Sequence, residues 1–421
     1  MYYFKKVRAQ EVNNFAIKNG IFRQTSAWAK MKKRYFKTLS FLGYDNNNNV
    51  VFSCLLLRFY IPLTPFSICY APRGFISDYN NENLTKEFTN FYYKYMKKHL
   101  ILYTIFDPEI VKKTNFENDK NGEAIVSIFE RLGYKLNDNK NYRHMQNNNN
   151  YRLLIDYNSG NVLDDTFNKL AKKLQYDINL GSTRGITVEK YDGHAYLKDP
   201  NLFEEFYKLI LETGRRSNFT EKLLSKEKYQ KMIYAMHEYG HLYFAKYNYE
   251  IDRANINELI NKTSEEIKRL EANSTRKSLN KIKELSENLR SYKERLDSIK
   301  EHQDNPYVAV SFFIMMGNQA YYMFGGNESK LRFTKPTSLL LWEMISDTIK
   351  SGAEVFNTGG SLAFDNPNLK EDSMYRVYEF KSGMNGELVD FYGDFCLINS
   401  KLAYKILEMK FKLLKRINNR Y

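Results

Sequence analysis

The chain has 421 residues, room for two or three domains, and its 43% hydrophobic and 15% aromatic content is that of a packed globular protein. A formal net charge of +15 favours a polyanionic partner: RNA, DNA or an anionic membrane surface. Cys54, Cys69 and Cys396 stand far apart with no CxxC, which excludes a disulfide framework and a cysteine zinc site and fits a reducing compartment. The opening Met1-Tyr2-Tyr3-Phe4-Lys5-Lys6 has no signal-peptide apolar stretch, and no apolar run approaches a membrane span, so a cytoplasmic protein, soluble or peripheral to the membrane, is expected.

Strand-like and helix-like runs alternate, which predicts α/β layers. Strands over 39–44 and 50–59 flank Asp45-Asn46-Asn47-Asn48-Asn49 as a hairpin, followed by a helix over 84–98, a strand over 100–106 and a helix over 124–132 that ends at Gly133. The asparagine tract 147–150 reads as a domain boundary. The pattern then restarts: strand 152–157, helix 163–176, strand 186–191, helices 202–212 and 227–239, and strand 241–249. Strands 308–316 and 319–324, helix 338–350 and strand 355–358 follow. The repeated order suggests an internal duplication that residue identity does not establish.

Between them, 252–302 contains no proline or glycine and carries two stripes: Ile256, Ile260, Thr263, Ile267, Leu270, and Ile282, Leu285, Leu289, Tyr292, Leu296, Ile299. Steps of three and four alternate, so each stripe faces a partner helix. Ala272-Asn273-Ser274-Thr275 breaks the period with turn and N-cap chemistry, predicting an antiparallel coiled-coil arm. The bland alternative is one long charged surface helix. The C-terminal 401–421 carries seven Lys/Arg against one Glu among apolar residues, a basic helix suited to a membrane surface or to packing on the body with its lysines in water.

His237-Glu238-Tyr239-Gly240-His241 matches H-E-x-x-H, which binds zinc only when a continuing helix puts both imidazoles on one face. Gly240 is where a helix caps, and the run after it alternates like a strand, so a metal site is not expected. There is no G-x-S-x-G, Walker A or G-x-G-x-x-G. Gly325-Gly326 and Gly359-Gly360 follow strands and suit tight turns or a close backbone approach.

Six segments in order resemble the FemABX aminoacyltransferases: Phe22-Arg23-Gln24-Thr25-Ser26-Ala27-Trp28-Ala29-Lys30-Met31-Lys32; Tyr70-Ala71-Pro72-Arg73-Gly74; Phe106-Asp107-Pro108; Glu212 to Phe219 with its Thr213 and Arg216; Tyr321 to Gly326 followed by Leu340 to Ile345; and Tyr378-Glu379-Phe380-Lys381-Ser382-Gly383. Met384 stands where the family usually has Phe, and Thr358 precedes Gly359-Gly360 where Asp-Phe is commoner. The resemblance implies an α/β (α+β) fold of two acetyltransferase-like (GNAT-like) domains around a shared cleft, with the coiled-coil arm inserted. The implied division is 1–150, then 151–251 with 303–395, with a C-terminal segment 396–421 returning to the first domain.

It further implies transfer of an amino acid from aminoacyl-tRNA, as co-substrate and with no cofactor, to an amine of the peptidoglycan stem peptide on lipid II or a UDP-linked precursor, with peripheral contact at the inner membrane surface. Aminolysis of an activated ester needs alignment and charge stabilisation rather than an enzyme nucleophile or metal. By that resemblance Lys381 stabilises the developing oxyanion or the terminal phosphate, Phe380 stacks on the tRNA 3′ end, Asp107 orients or deprotonates the amine, and Lys32, Arg216 and Arg73 bind the anionic precursor. Bland readings stand beside these: Lys32 as a solvated lysine, Arg216 as an interdomain salt bridge, Asp107 as a turn residue, Trp28 as core. Two rivals remain, an aminoacyl-tRNA-dependent transferase acting on a protein or lipid amine, and a non-catalytic RNA-binding coiled-coil scaffold.

Overall fold

Apolar residues on both faces of the 39–44 and 50–59 runs dictate a hairpin covered on both sides. In the computed structural model the strands Lys37–Tyr44 and Val50–Tyr60 pair antiparallel. Leu39, Phe41, Phe52, Cys54 and Leu56 enter one apolar cluster, while Leu42, Leu55 and Leu57 join Val12 and Ala29 in another. The structure describes residues 1–137, 145–158, 160–216, 223–272, 275–361, 370, 375–402 and 404–405. They divide into two compact units, Met1–Tyr157 with Met315–Tyr321 and Ser351–Tyr421, and Asn158–Ile314 with Tyr322–Lys350. The fold is mixed α/β with two sheets, as expected.

In the first unit the hairpin is extended by Tyr3–Val7 on one side and by Ser67–Ala71, Ile101–Phe106, Phe395–Ile398 and Tyr134–Leu136 on the other. Ser67–Ala71 and Ile101–Phe106 are parallel, so the chain must cross over between them, and helix Glu82–Lys98 does so. Its Phe88, Tyr92 and Met96 are fully buried against Phe52, Phe75 and Phe129. The same unit holds Asn149–Leu154, paired on one side with Val355–Gly360 and on the other with Glu387–Phe391. Asn149 and Asn150 of the asparagine tract, expected at a domain boundary, are strand residues with neighbours on both sides, and the division between the two units falls after Tyr157.

In the second unit Ile186–Asp192, Gly240–Tyr247 and the 307–314 stretch of Tyr307–Met316 form an antiparallel series. Helices Lys172–Thr183, Pro200–Arg216 and Pro336–Lys350 cover it. The helix expected over 163–176 is two helices, Val162–Lys169 and Lys172–Thr183. Leu170 between them is extended (ψ 153°) so that its side chain reaches the core, a tertiary demand that outranks local propensity. The helix expected over 227–239 stops at Ala235, and strand Gly240–Tyr247 opens at Gly240.

The arm is present as two helices, Tyr249–Glu271 and Arg276–Ser298, and every stripe position is buried or half-buried while the intervening charged positions are largely exposed. Thr275 caps the second helix through a box with Ser278; Asn273 and Ser274 of the expected turn lie outside the described residues. The first helix starts earlier than 252, with Asn248 as its N-cap. Asp252 is instead fully buried, held by Arg295 of the returning helix and by the Tyr247 hydroxyl at 2.8 Å.

Candidate functional site

The expected site residues fall at four places, three in the first unit and one in the second. At the first place the Tyr70-Ala71-Pro72-Arg73-Gly74 turn leaves strand Ser67–Ala71 beside the end of strand Ile101–Phe106, so that Asp107 follows directly on the parallel neighbour. Asp107 is wholly buried: its carboxylate accepts the Tyr70 hydroxyl at 2.8 Å and the Arg73 backbone N–H. Arg73 sits at φ +50, a left-handed conformation that the bond to Asp107 holds in place. Burial pushes the Asp107 carboxyl up to about 7, against the opposing pull of the Arg73 charge and the Tyr70 bond, with Asp394 adding repulsion.

Gln24 straps this turn to the sheet. Its buried amide donates to Pro72 O (2.8 Å) and Leu55 O (3.1 Å) and accepts from Leu55 N (2.7 Å). A side chain on Gly74 would meet Gln24 at 2.4 Å, which is why the turn ends in glycine. Two of the sequence segments thus meet, and their shared residues are a structural clamp around Asp107.

The Arg73 guanidinium is buried, 3.6 Å from Glu109, 5.2 Å from the Phe391 ring and bonded to Asn147 O at 2.5 Å. Gln146 donates to Tyr70 Oη at 3.0 Å. Arg23, half-buried over the Phe22 and Trp28 rings, is electrostatically coupled to Arg73 and Glu109. Sequence reasoning assigned no role to Tyr70, Gln146, Asn147 or Glu109. Tyr70 stood in plain view as the first residue of its motif; the asparagine tract was hidden by its loop-like composition.

Asn147 also links this cluster to the second place. A side chain on Gly360 would sit 2.2 Å from Asn147 Nδ2. Lys381, on helix Tyr375–Ser382 and 7% exposed, donates from Nζ to the carbonyls of Gly360 (2.6 Å), Thr358 (2.7 Å) and Gly359 (3.4 Å). Burial alone lowers its pKa to about 7. Gly359 is left-handed (φ +68), and a side chain there would meet open space. Phe380, next along the helix, is half-buried. Asp107, Arg73 and Lys381 are therefore brought together through Asn147 and the bulged Gly359-Gly360 end of strand Val355–Gly360.

Lys32 is at the end of helix Ser26–Lys32, its ammonium 4.9 Å from the centre of the Trp28 ring, and Trp28 is core. In the second unit Arg216 bonds Asn327 O at 3.0 Å and Asn327 Oδ1 at 2.5 Å, while Thr213 bonds the backbone of Asn327. This guanidinium pins the end of strand Gln319–Asn327 to helix Pro200–Arg216 rather than forming a salt bridge between domains. Ser217, Asn218 and Phe219 of that segment lie outside the described residues. His237 lies in a turn, bonded to Tyr234 O, and His241 is on a strand opposite Asp192, so the two imidazoles do not share a helix face. Among the described residues no helix is long and apolar enough to cross a membrane.

The FemAB family profile matches residues 7–412. The chain is 25% identical over 413 residues to the lipid II:glycine glycyltransferase of Staphylococcus aureus strain USA300, covering 93% of this chain and 91% of that protein, and equally to that of strain Mu50. The crystal structure of FemX superposes with a TM-score of 0.75 at 20% identity, over 96% of this chain and all of that one. The class these define is an aminoacyltransferase. The chain belongs to the FemAB family.

Proposed function

We propose that the chain transfers an amino acid from aminoacyl-tRNA to an amine of the peptidoglycan stem peptide, carried on lipid II or a UDP-linked precursor, and so builds an interpeptide bridge. The observation that carries this reading is the family match along almost the whole chain, joined to a relative named for glycyl transfer to lipid II. The site's chemistry supports it. The attacking amine must lose a proton and the ribose leaving oxygen must gain one, and a carboxyl near neutrality accepts and returns protons at working pH. Asp107 is buried, so it would act through Tyr70, whose hydroxyl both donates to it and accepts from Gln146. Arg73 fixes the turn and supplies a desolvated positive charge beside the pair.

Lys381 would act as a positioning residue: it gathers three carbonyls at the 358–360 end of strand Val355–Gly360 and would thereby set the backbone that meets the tRNA 3′ end, with Phe380 as the base-stacking neighbour. Lys32 and Arg216 are proposed contacts for the anionic precursor.

The test is incubation of the purified protein with a panel of radiolabelled aminoacyl-tRNAs and either lipid II or UDP-MurNAc-peptide. Label appearing on one acceptor names both donor and acceptor. No transfer to either, with binding of aminoacyl-tRNA retained, would favour the non-catalytic scaffold.

A further inference from the structure

One end of the first unit's sheet presents a feature that aminoacyl transfer does not use. Strand Val50–Tyr60 turns through 61–66 into Ser67–Ala71, and the turn carries Leu63 fully exposed, with Phe59, Tyr60 and Phe66 each more than a third exposed. Leu63 stands at φ +61, a costly conformation for a branched residue, which turns its side chain outward at the tip. Tyr35, 67% exposed, lies at the same end, since Phe36 packs on Phe59 and Lys37 is paired with Arg58.

Around this apolar tip stands a collar of exposed cations, Lys33, Arg34, Lys37, Lys97 and Lys98. Arg58 joins it to the start of the next strand by bonding His99 O at 2.6 Å and Ser67 Oγ at 2.9 Å, and its guanidinium and the Lys37 ammonium both lie over the Tyr60 ring. The segments 30–37, 57–67 and 94–101 contain no Asp or Glu. Tyr404 lies at this same end, packed on Tyr103 in one apolar group with Ile61.

We infer that the 61–66 turn and its cationic collar seat the protein on an anionic lipid bilayer. Inserting a loop into lipid requires that its backbone donors be satisfied internally. Pro62 and Pro65 have no N–H, Ile61 N donates to Phe66 O at 3.0 Å, Thr64 N to Ile61 O at 3.2 Å, and Phe66 N to Thr64 Oγ1 at 3.2 Å. The Thr64 hydroxyl in turn bonds Ile61 O at 2.9 Å. The tip is thus largely apolar in its side chains, and three of its four backbone N–H groups are satisfied within the turn. Tyr60 and Tyr35 suit the headgroup level, where aromatic rings with polar tips accumulate, and the lysines suit anionic headgroups. An RNA surface would use the collar but has no use for Leu63, Pro62 and Pro65 at its centre. The inference stands apart from the identity of the acceptor.

The experiment is co-sedimentation of the full chain with vesicles of phosphatidylcholine alone and of equal parts phosphatidylcholine and phosphatidylglycerol. Binding is expected to the mixed vesicles and to fall with salt. Leu63→Asp, and separately Lys33→Glu with Lys97→Glu, should each weaken it about tenfold or more. Leu63→Trp should bind like the parent, and its fluorescence should shift to the blue on adding mixed vesicles. All these positions are exposed, and circular dichroism checks that each variant folds. Absence of binding to the mixed vesicles at low salt, or an unshifted Leu63→Trp emission, would overturn the inference. So would loss of bulk RNA binding in the charge variants with vesicle binding unchanged, which would assign the collar to nucleic acid.

Discussion

Asp107 and Lys381 are two buried ionisable groups whose burial moves them in opposite directions toward neutrality. Their consequences for stability have opposite signs. Asp107 is raised from the usual carboxylate value of about 4, so the folded state holds its proton longer than the unfolded chain, and stability falls as pH rises from about 4 to about 7. Lys381 is depressed from about 10.4, so its contribution is complete above that value and is lost as pH falls toward about 7. Asp107→Asn keeps an oxygen for the Arg73 N–H and an amide for Tyr70, and removes the titration. Its unfolding free energy should therefore fall much less between pH 5 and pH 8 than that of the parent, the difference amounting to a few kcal/mol, read from denaturant melts at the two pH values. Its turnover should also lose the rise through about pH 7 expected of a carboxyl that must ionise to act. An unchanged pH–rate profile with the stability change intact would confine Asp107 to holding the Arg73 turn. The sequence named Asp107, Arg73 and Lys381 by resemblance, but not Gln146 or Asn147, because those partners are defined by strands paired across the chain rather than by local pattern.

At the scale of elements, the arm was legible because its period is local, and the stripes identified its buried face residue by residue. Its attachment was not. Asp252, Ile256 and Ile299 are fully buried and belong to the core of the second unit, so the arm is rooted rather than appended. Replacing 252–302 by a linker, which the stripes alone would permit, should unfold that unit. Breaking the Asp252–Arg295 pair with Arg295→Met should cost about 3–5 kcal/mol, because a buried carboxylate loses its countercharge. The register follows from two pairs, Asp252 with Arg295 and Glu266 beside Lys281. It places Ser264 opposite Lys283, so excision of 265–282 with a short Gly/Ser turn removes matched lengths of both helices. That shortened chain should fold with a cooperative melt within a few degrees of the parent; a large loss would mean that the outer arm, too, supports the body. The short strands Tyr134–Leu136, Val111–Thr114 and Phe395–Ile398 were missed for the converse reason. Each has five residues or fewer, too short for a period, and Phe395–Ile398 pairs with Ile101–Phe106 from almost three hundred residues away.

For the whole molecule, alternation of strand and helix sufficed to give the α/β class, and the six motifs gave the family, but neither says what the net charge of +15 is for. The outer arm offers a way to ask. Residues 265–282 carry five Lys/Arg against three Glu, and all five of these cations are exposed. If the proposed donor is aminoacyl-tRNA, a large polyanion, these exposed cations can serve as phosphate contacts that a short donor would lack. Binding that neutralises phosphates weakens steeply with salt, because condensed counterions are released. Excision of 265–282 should then raise the KM for full-length aminoacyl-tRNA by roughly tenfold at low salt and flatten its salt dependence, the effect of removing a few phosphate contacts. The KM for a short aminoacylated acceptor-stem mimic, and kcat with either donor, should stay close to the parent, as when binding is lost uniformly in ground and transition states. Steady-state kinetics of the two donors at two salt concentrations measures all of this. Equal loss with both donors would move the arm from the tRNA to the acceptor or to the fold, and the melt of the same shortened chain decides between those two.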